Sequence, residues 1–185
     1  MPVTRATPQT PGKEVLIVSV ADRRVFEVAP ESPSIPSLDP KELQSSAVKS
    51  RAVGRKRNTY GKALGDILLK EGRTVETLVA ESIRQAFAEK GYKIIDRKED
   101  ASQKTLRVEA FVDKFWSWMN PGFWAITLST EITTDLSIHS PKRGKSITVT
   151  VQASENYQTA LDENWTEVIN KALRAYVEEL KARLE

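Results

Sequence analysis

At 185 residues the chain is long enough to bury one sizeable core and too short for two large domains. Its 28 Lys and Arg against 25 Asp and Glu give a net charge of +3, which does not by itself indicate nucleic-acid binding. The absence of cysteine excludes thiol catalysis and disulfides, and the lone histidine, His139, lies in a predicted turn without a local catalytic partner.

The first thirteen residues are predicted to form a flexible tether, because they contain three prolines, three threonines and almost no apolar side chain. No segment of the chain reaches the roughly 18 to 20 apolar residues that cross a bilayer. We predict one α+β domain over residues 14–185. Its first segment, EVLIVSVADRR, is typical of a central strand that is buried on both faces.

Residues 29–73 are predicted to form an irregular surface loop that contains short extended pieces. Four prolines fall within residues 29–42, a spacing that excludes a regular element. A basic cluster follows at residues 49–57 and is read as a solvated loop. The alternative is phosphate binding, for which Arg55, Lys56 and Arg57 are the candidate residues.

Two amphipathic helices are predicted from apolar side chains that recur at helical spacing. The first begins after Thr74 as N-cap and ends at Gly91, which is expected to take a positive φ. The second occupies residues 161–180, with Thr159 and Asp162 as a predicted capping box.

Between the helices, a two-residue alternation of apolar and polar side chains predicts an antiparallel meander of three strands. The strands are expected at residues 106–113, 124–138 and 147–153, with turns near 120–122 and 140–144. Both helices then cover one apolar face of the sheet. The fold class predicted is an α+β two-layer sandwich with a mainly antiparallel sheet.

The stretch FWSWMNPGFW, residues 115–124, holds three of the four tryptophans and flanks a predicted turn. Its rings either stabilise the hairpin by cross-strand pairing or form an exposed contact surface. Trp124 is assigned to the inward series that continues to Ile126. The partner-binding candidates on the opposite face and at the hairpin are Glu109, Phe111, Asp113, Trp116, Trp118 and Phe123.

Four carboxylates are predicted on the outer faces of adjacent strands: Glu109, Asp113, Glu131 and Asp135. They are read as the polar face of a two-layer fold, and hydrolysis by a carboxylate pair is the competing hypothesis. The glycines of GRKRNTYGKALG match no nucleotide-binding loop. We therefore predict no catalytic residue, no metal site and no cofactor.

The order of several short motifs resembles the YajG-like family of uncharacterised bacterial lipoproteins. These motifs are Val20-Ala21-Asp22-Arg23, Gly54-Arg55-Lys56-Arg57-Asn58, Gly65-Asp66-Ile67 and a helix that closes on Gly91-Tyr92. The resemblance implies a periplasmic protein attached to the outer membrane through a lipidated N-terminal cysteine, with residues 1–13 as spacer. This sequence contains no cysteine, and the family transfers no catalytic residue.

The leading hypothesis is a non-enzymatic envelope domain that binds a partner protein or a cell-wall or lipid component. Self-association is left open. The alternative hypothesis is a cytoplasmic domain that binds nucleic acid through residues 49–57, and salt-dependent binding would favour it.

Overall fold

The protein folds as a seven-stranded mixed sheet with three helices in a computed structural model that describes residues 12–58 and 60–184. The elements in chain order are β1 (Glu14–Asp22), α1 (Ser46–Arg51), β2 (Ala52–Arg57), β3 (Ala63–Leu68), α2 (Val75–Glu89), β4 (Lys93–Ile95), a 3-10 turn (Lys98–Asp100), β5 (Leu106–Pro121), β6 (Ile126–His139), β7 (Gly144–Tyr157) and α3 (Asp162–Arg183). The predicted α+β class and the β5–β6–β7 meander are confirmed. Most of the predicted tether, residues 1–11, lies outside the described residues.

Strand β5 organises the sheet, because it pairs along both of its edges. One edge pairs with β6 in antiparallel register over the full strand. The other edge pairs first with β1, in parallel, from Leu106 to Val112, and then with β2, in parallel, at Ser117. Strand β4 continues the sheet beyond β1, and β3 continues it beyond β2. Two short flanks therefore lie end to end along one edge of a single long strand.

Strand β1 lies between β4 and β5, but the prediction that both of its faces are buried is wrong. Its pairing with β5 shifts register between Ile17 and Ser19, and Val18 and Ser19 are exposed. A bulge places two residues of one strand opposite one residue of its neighbour and turns side chains away from the ladder. The apolar sequence of β1 therefore does not indicate two covered faces.

Helices α2 and α3 pack on the same face of the sheet and build the main core with it. Thr74 caps α2, since its hydroxyl accepts from the Thr77 amide, as predicted. Gly91 takes φ +84°, and the Tyr92 amide donates to the Phe87 carbonyl at 3.0 Å, so the predicted C-terminal stop is also confirmed. The N-cap of α3 is Leu161 rather than Thr159, because the Asn164 side chain accepts from the Leu161 amide at 3.0 Å.

The predicted irregular loop, residues 29–73, contains the strands β2 and β3, which agree with the short extended pieces expected there, and the short helix α1, which was not expected. The proline-rich part of this segment lies against the outer face of the sheet, the face opposite α2 and α3. There Leu38, Phe26, Leu43 and Val48 form a second apolar cluster with Ala52, Trp116 and Trp118. The outer face is therefore covered around Trp116 and Trp118 and is not left open as predicted.

Candidate functional site

Trp116 and Trp118, two of the predicted contact residues, are buried and cannot form an exposed patch. Trp116 is fully buried, its indole nitrogen donates to the Pro33 carbonyl at 3.1 Å, and Phe26 meets it edge to face at 6.0 Å. Trp118 is 6% exposed. The prediction is wrong for both residues because the proline-rich segment, which was expected to stay in solvent, packs on them.

A different pair of rings from the same stretch is exposed at the β5–β6 turn. Phe123 and Trp124 are 89% and 83% exposed, and their rings meet edge to face with centroids 4.7 Å apart. The Gly122 amide donates to the Ala125 carbonyl at 2.9 Å and closes the turn beneath them. The prediction of an exposed Phe123 holds, whereas the inward assignment of Trp124 is wrong, since β6 begins only at Ile126.

Two further exposed apolar side chains lie in loops at the same end of the sheet. Strand β2 runs parallel to β5, so its turn into β3 is at the end where β5 turns into β6, and this turn carries Tyr60, which is 93% exposed. Strand β7 also ends there, because Tyr157 pairs with Ile126, and its loop into α3 carries Leu161, which is 58% exposed. We call Tyr60, Phe123, Trp124 and Leu161 the apolar tip.

The remaining candidates on β5 lie on the outer face, where an arginine joins them. Arg23 forms a bidentate ion pair with Asp113 and reaches Asp135 at 2.5 Å, and its guanidinium lies 4.8 Å from the centre of the Phe111 ring. The Thr148 hydroxyl and Arg23 together hold the pKa of Asp135 below its usual range. Glu109 lies on this face opposite Ser137.

The carboxylate-pair hypothesis receives no support from this arrangement. Asp113 and Asp135 share Arg23, and Glu131 pairs with Lys114 at 2.9 Å. An acid–base pair needs two carboxyl groups whose pKa values are driven apart, whereas ion pairing keeps carboxylates charged. These side chains therefore act as the ion-paired polar surface of the sheet.

The three basic candidates lie in strand β2, so they do not form a solvated loop. Arg55 lies 3.4 Å from Asp66, Lys56 pairs with Asp162, and Arg57 donates to the Pro30 carbonyl at 3.1 Å and to the Ser37 hydroxyl at 2.9 Å. These contacts occupy the guanidinium and ammonium groups that phosphate binding would need. No observation favours the nucleic-acid alternative.

Sequence reasoning missed one buried arginine, Arg24, which fills the gap between the two flanks of the sheet. Its guanidinium donates to the carbonyls of Ala52 at 2.6 Å, Phe115 at 3.0 Å and Lys49 at 2.8 Å, and it pairs with Asp22 at 2.7 Å. The Asp22-Arg23 pair at the end of β1 is a partial sequence signal for this buried ion pair. The adjacent Arg24, rather than Arg23, is the buried member.

A second missed feature is an acidic group beside β3. Burial and the neighbouring carboxyl group of Glu42 raise the pKa of Asp66 to about 6, although Arg55 acts in the opposite direction. Neither Asp66 Oδ1 nor Arg55 Nη1 has a hydrogen bond, despite their ion-pair distance. The pKa of Asp66 therefore lies well above that of an ordinary aspartate.

Within residues 12–58 and 60–184, no three His, Asp or Glu side chains come together in a way that could hold a metal ion. No helix in the same ranges is both long and apolar enough to span a membrane.

No protein-family model matches the chain, and no curated protein matches it in sequence. The chain is similar in structure to a DUF330 protein from Xanthomonas campestris (16% identity, TM-score 0.49, covering 97% of this chain and 88% of that one). It is also similar to a hypothetical protein from Chlamydia trachomatis (9% identity, TM-score 0.45, covering 94% of this chain and 95% of that one). A third similar structure is the lipoprotein GNA1162 from Neisseria meningitidis (6% identity, TM-score 0.25, covering 90% of this chain and 99% of that one). These neighbours include a DUF330 protein and a lipoprotein. Their sequence identities and TM-scores are too low to assign a function or a site to this chain. The YajG-like assignment stays a prediction.

Proposed function

We propose that the chain is a non-enzymatic domain of the cell envelope that binds an envelope component through the apolar tip. The component whose chemistry fits the tip best is the lipid–water interface of a membrane. The observation that carries the proposal is the exposure of Phe123 and Trp124 side by side at a turn. The envelope location itself depends on the resemblance to YajG-like lipoproteins.

The composition of the tip supports a lipid interface. Residues 58–62 and 121–125 carry a single charged side chain between them, the cation Lys62, whereas Leu161 is followed at once by Asp162 and Glu163. Trp and Tyr combine an apolar ring with a polar edge, and both are enriched at the headgroup level of membranes. The turns that carry Tyr60 and the Phe123-Trp124 pair contain no carboxylate, so they can enter an anionic interface without electrostatic repulsion.

Several other candidate contact residues already have partners within the chain. Arg23 engages Asp113 and Asp135, Lys56 engages Asp162, and Trp116 lies beneath the proline-rich segment. A partner at those positions would have to displace existing contacts. The apolar tip requires no such displacement, because its side chains already face solvent.

The proposal is tested with vesicles of phosphatidylethanolamine and phosphatidylglycerol, by co-sedimentation and by tryptophan emission. Trp116, Trp118 and Trp165 are buried, so a blue shift on adding vesicles reports chiefly on Trp124. We expect a blue shift for the unaltered chain. We expect the double variant Phe123→Ser, Trp124→Ser to lose at least about tenfold in vesicle partitioning, since two large apolar surfaces are removed.

The matched control is Val25→Ser, Val28→Ser, which removes two apolar side chains that are 75% and 59% exposed outside the tip. This variant is expected to partition like the unaltered chain. An equal loss in both double variants would contradict a specific tip. If the unaltered chain did not bind the vesicles, the lipid assignment would be wrong. Cross-linking from position 124 would then decide whether the tip binds a protein.

A further inference from the structure

Strand β7 is an edge strand of fourteen residues whose outer backbone edge has no paired strand in the described part of the chain. Its pairing with β6 runs from Gly144 to Tyr157 without a register shift. One long-range side-chain contact reaches its backbone, from the Lys171 ammonium to the Ser154 carbonyl at 3.2 Å. The row of amide and carbonyl groups along this edge is therefore a template for another strand.

The usual protections against edge pairing are missing from the middle of β7. Proteins block such edges with prolines, bulges, charges in the strand or very short strands. Residues 146–154 contain no proline, glycine or charged side chain, and the ladder with β6 has no bulge. A long and regular edge of this kind favours association with another strand.

The pattern of side chains along β7 complements itself when the strand is reversed. We propose that β7 pairs with β7 of a second copy, antiparallel and centred on Thr150, to join two seven-stranded sheets. In that register Lys145 faces Glu155 of the second copy, and Val149 faces Val151 of the second copy. The charged residues at the two ends of the strand therefore have opposite sign across the interface, twice by symmetry. Within each copy Lys145 also donates to the Arg183 carbonyl and Glu155 pairs with Lys171, so the contact between copies would add to these interactions.

Faces as well as charges agree in this register. Ile147, Val149 and Ala153 are buried towards the helices, whereas Thr148 and Thr150 are exposed on the other face. The residue numbers of two facing residues always add up to 300, so both are odd or both are even. Inward residues therefore meet inward residues across the two-fold axis. A register shifted by one residue would instead align the helix-covered face of one copy with the outer face of the other.

Thr150 offers a test that leaves the monomer intact. Its side chain is exposed, and its hydroxyl hydrogen-bonds Thr133 at 3.2 Å. At the centre of the pairing it lies opposite Thr150 of the second copy, so Thr150→Lys puts two ammonium groups face to face, and Thr150→Glu puts two carboxylates face to face. Each variant is expected to raise the dimer dissociation constant roughly fivefold or more.

The masses of the full chain, of each variant and of an equimolar mixture of both variants are measured by sedimentation equilibrium across a concentration series. The unaltered chain is expected to move from 20.7 kDa towards twice that mass. The mixture is expected to recover the association that each variant alone has lost, because opposite charges now meet. Circular dichroism verifies that each variant is folded.

A monomeric unaltered chain would overturn the proposal, as would a dimer unaffected by either variant. Weakening in both variants without recovery in the mixture would also overturn it, because the central contact would then not be symmetric. The proposal does not depend on the apolar tip. Loss of vesicle binding in the Phe123→Ser, Trp124→Ser variant leaves this result unchanged.

Discussion

Arg23 and Arg24 are neighbours in sequence with different surroundings. The Arg24 side chain is fully buried and donates to three backbone carbonyls, whereas that of Arg23 is 46% exposed above the outer face. A buried carbonyl that loses its donor keeps the cost of its desolvation. The contribution of each arginine to stability therefore follows from what it hydrogen-bonds and how deeply it is buried.

We expect Arg24→Met to lower the free energy of unfolding by about 3 to 5 kcal/mol, because the carbonyls of Lys49, Ala52 and Phe115 and the carboxylate of Asp22 lose their partner. Arg23→Met is the matched control and should cause a much smaller loss. Urea denaturation of both variants measures the difference. Equal losses would show that Arg24 does not hold the two flanks together.

Asp66 predicts a pH dependence of stability. Its raised pKa, about 6, means that the folded state holds a proton that the unfolded state releases near pH 4. The free energy of unfolding should therefore fall as pH rises from about 4 to about 6, by on the order of 2 kcal/mol from this group. In the Asp66→Asn variant, the free energy of unfolding should lack this part of the fall with pH.

Urea denaturation at pH 4.5 and pH 7 tests the contribution of Asp66, since the difference between the variant and the unaltered chain cancels other titrating groups. The same pH dependence in both proteins would contradict the raised pKa.

At the level of single residues, the sequence predicted environments correctly where the local pattern determines them. Thr74 and Gly91 are examples, because capping depends on neighbours within a few positions. Trp116 and Trp124 were misassigned for a physical reason. Burial of Trp116 depends on a segment some 80 residues earlier in the chain, which no local pattern reveals.

At the level of elements, the alternation of apolar and polar side chains predicted the strands of the meander and their inward faces. It did not predict every pairing partner. A two-residue period predicts which side chains share a face, whereas parallel and antiparallel neighbours leave the same pattern. The parallel pairing of β1 and β2 with β5 was therefore missed. The pairing of β5 with β6 also shifts register between Val112 and Lys114, so Phe115 joins the main core and Trp116 the outer face.

The junction of β2 with β5 predicts a specific intolerance at Gly54. A Cβ at this position would lie 2.8 Å from the Ser117 carbonyl oxygen, closer than real Cβ atoms approach. Gly54→Ala should lower the free energy of unfolding by about 1 to 3 kcal/mol, because the two strands must separate. Gly144→Ala is the control, since its Cβ would meet only a side-chain atom at 3.8 Å. Thermal denaturation compares them, and similar melting temperatures would contradict the close approach.

At the level of the whole molecule, the two proposed surfaces have a fixed relation. The apolar tip is at the end of the sheet where β7 finishes, and the proposed dimer runs the two copies of β7 in opposite directions. The two tips would then lie at opposite ends of the joined sheet. A membrane-bound copy would hold its partner's tip away from that membrane, so both proposals together describe a molecule that bridges two surfaces.

The position of β5 has a consequence for how the fold can be divided. Strand β5 pairs with both flanks of the sheet, with β1 of the β1–β4 flank and with β2 of the β2–β3 flank. It also pairs with β6 along its other edge. A cut in any loop that connects two of the strands leaves only one piece with β5. Neither piece can form the full sheet alone. Reassembly from two fragments would therefore require the piece without β5 to pair with the exposed edge of the piece that contains β5.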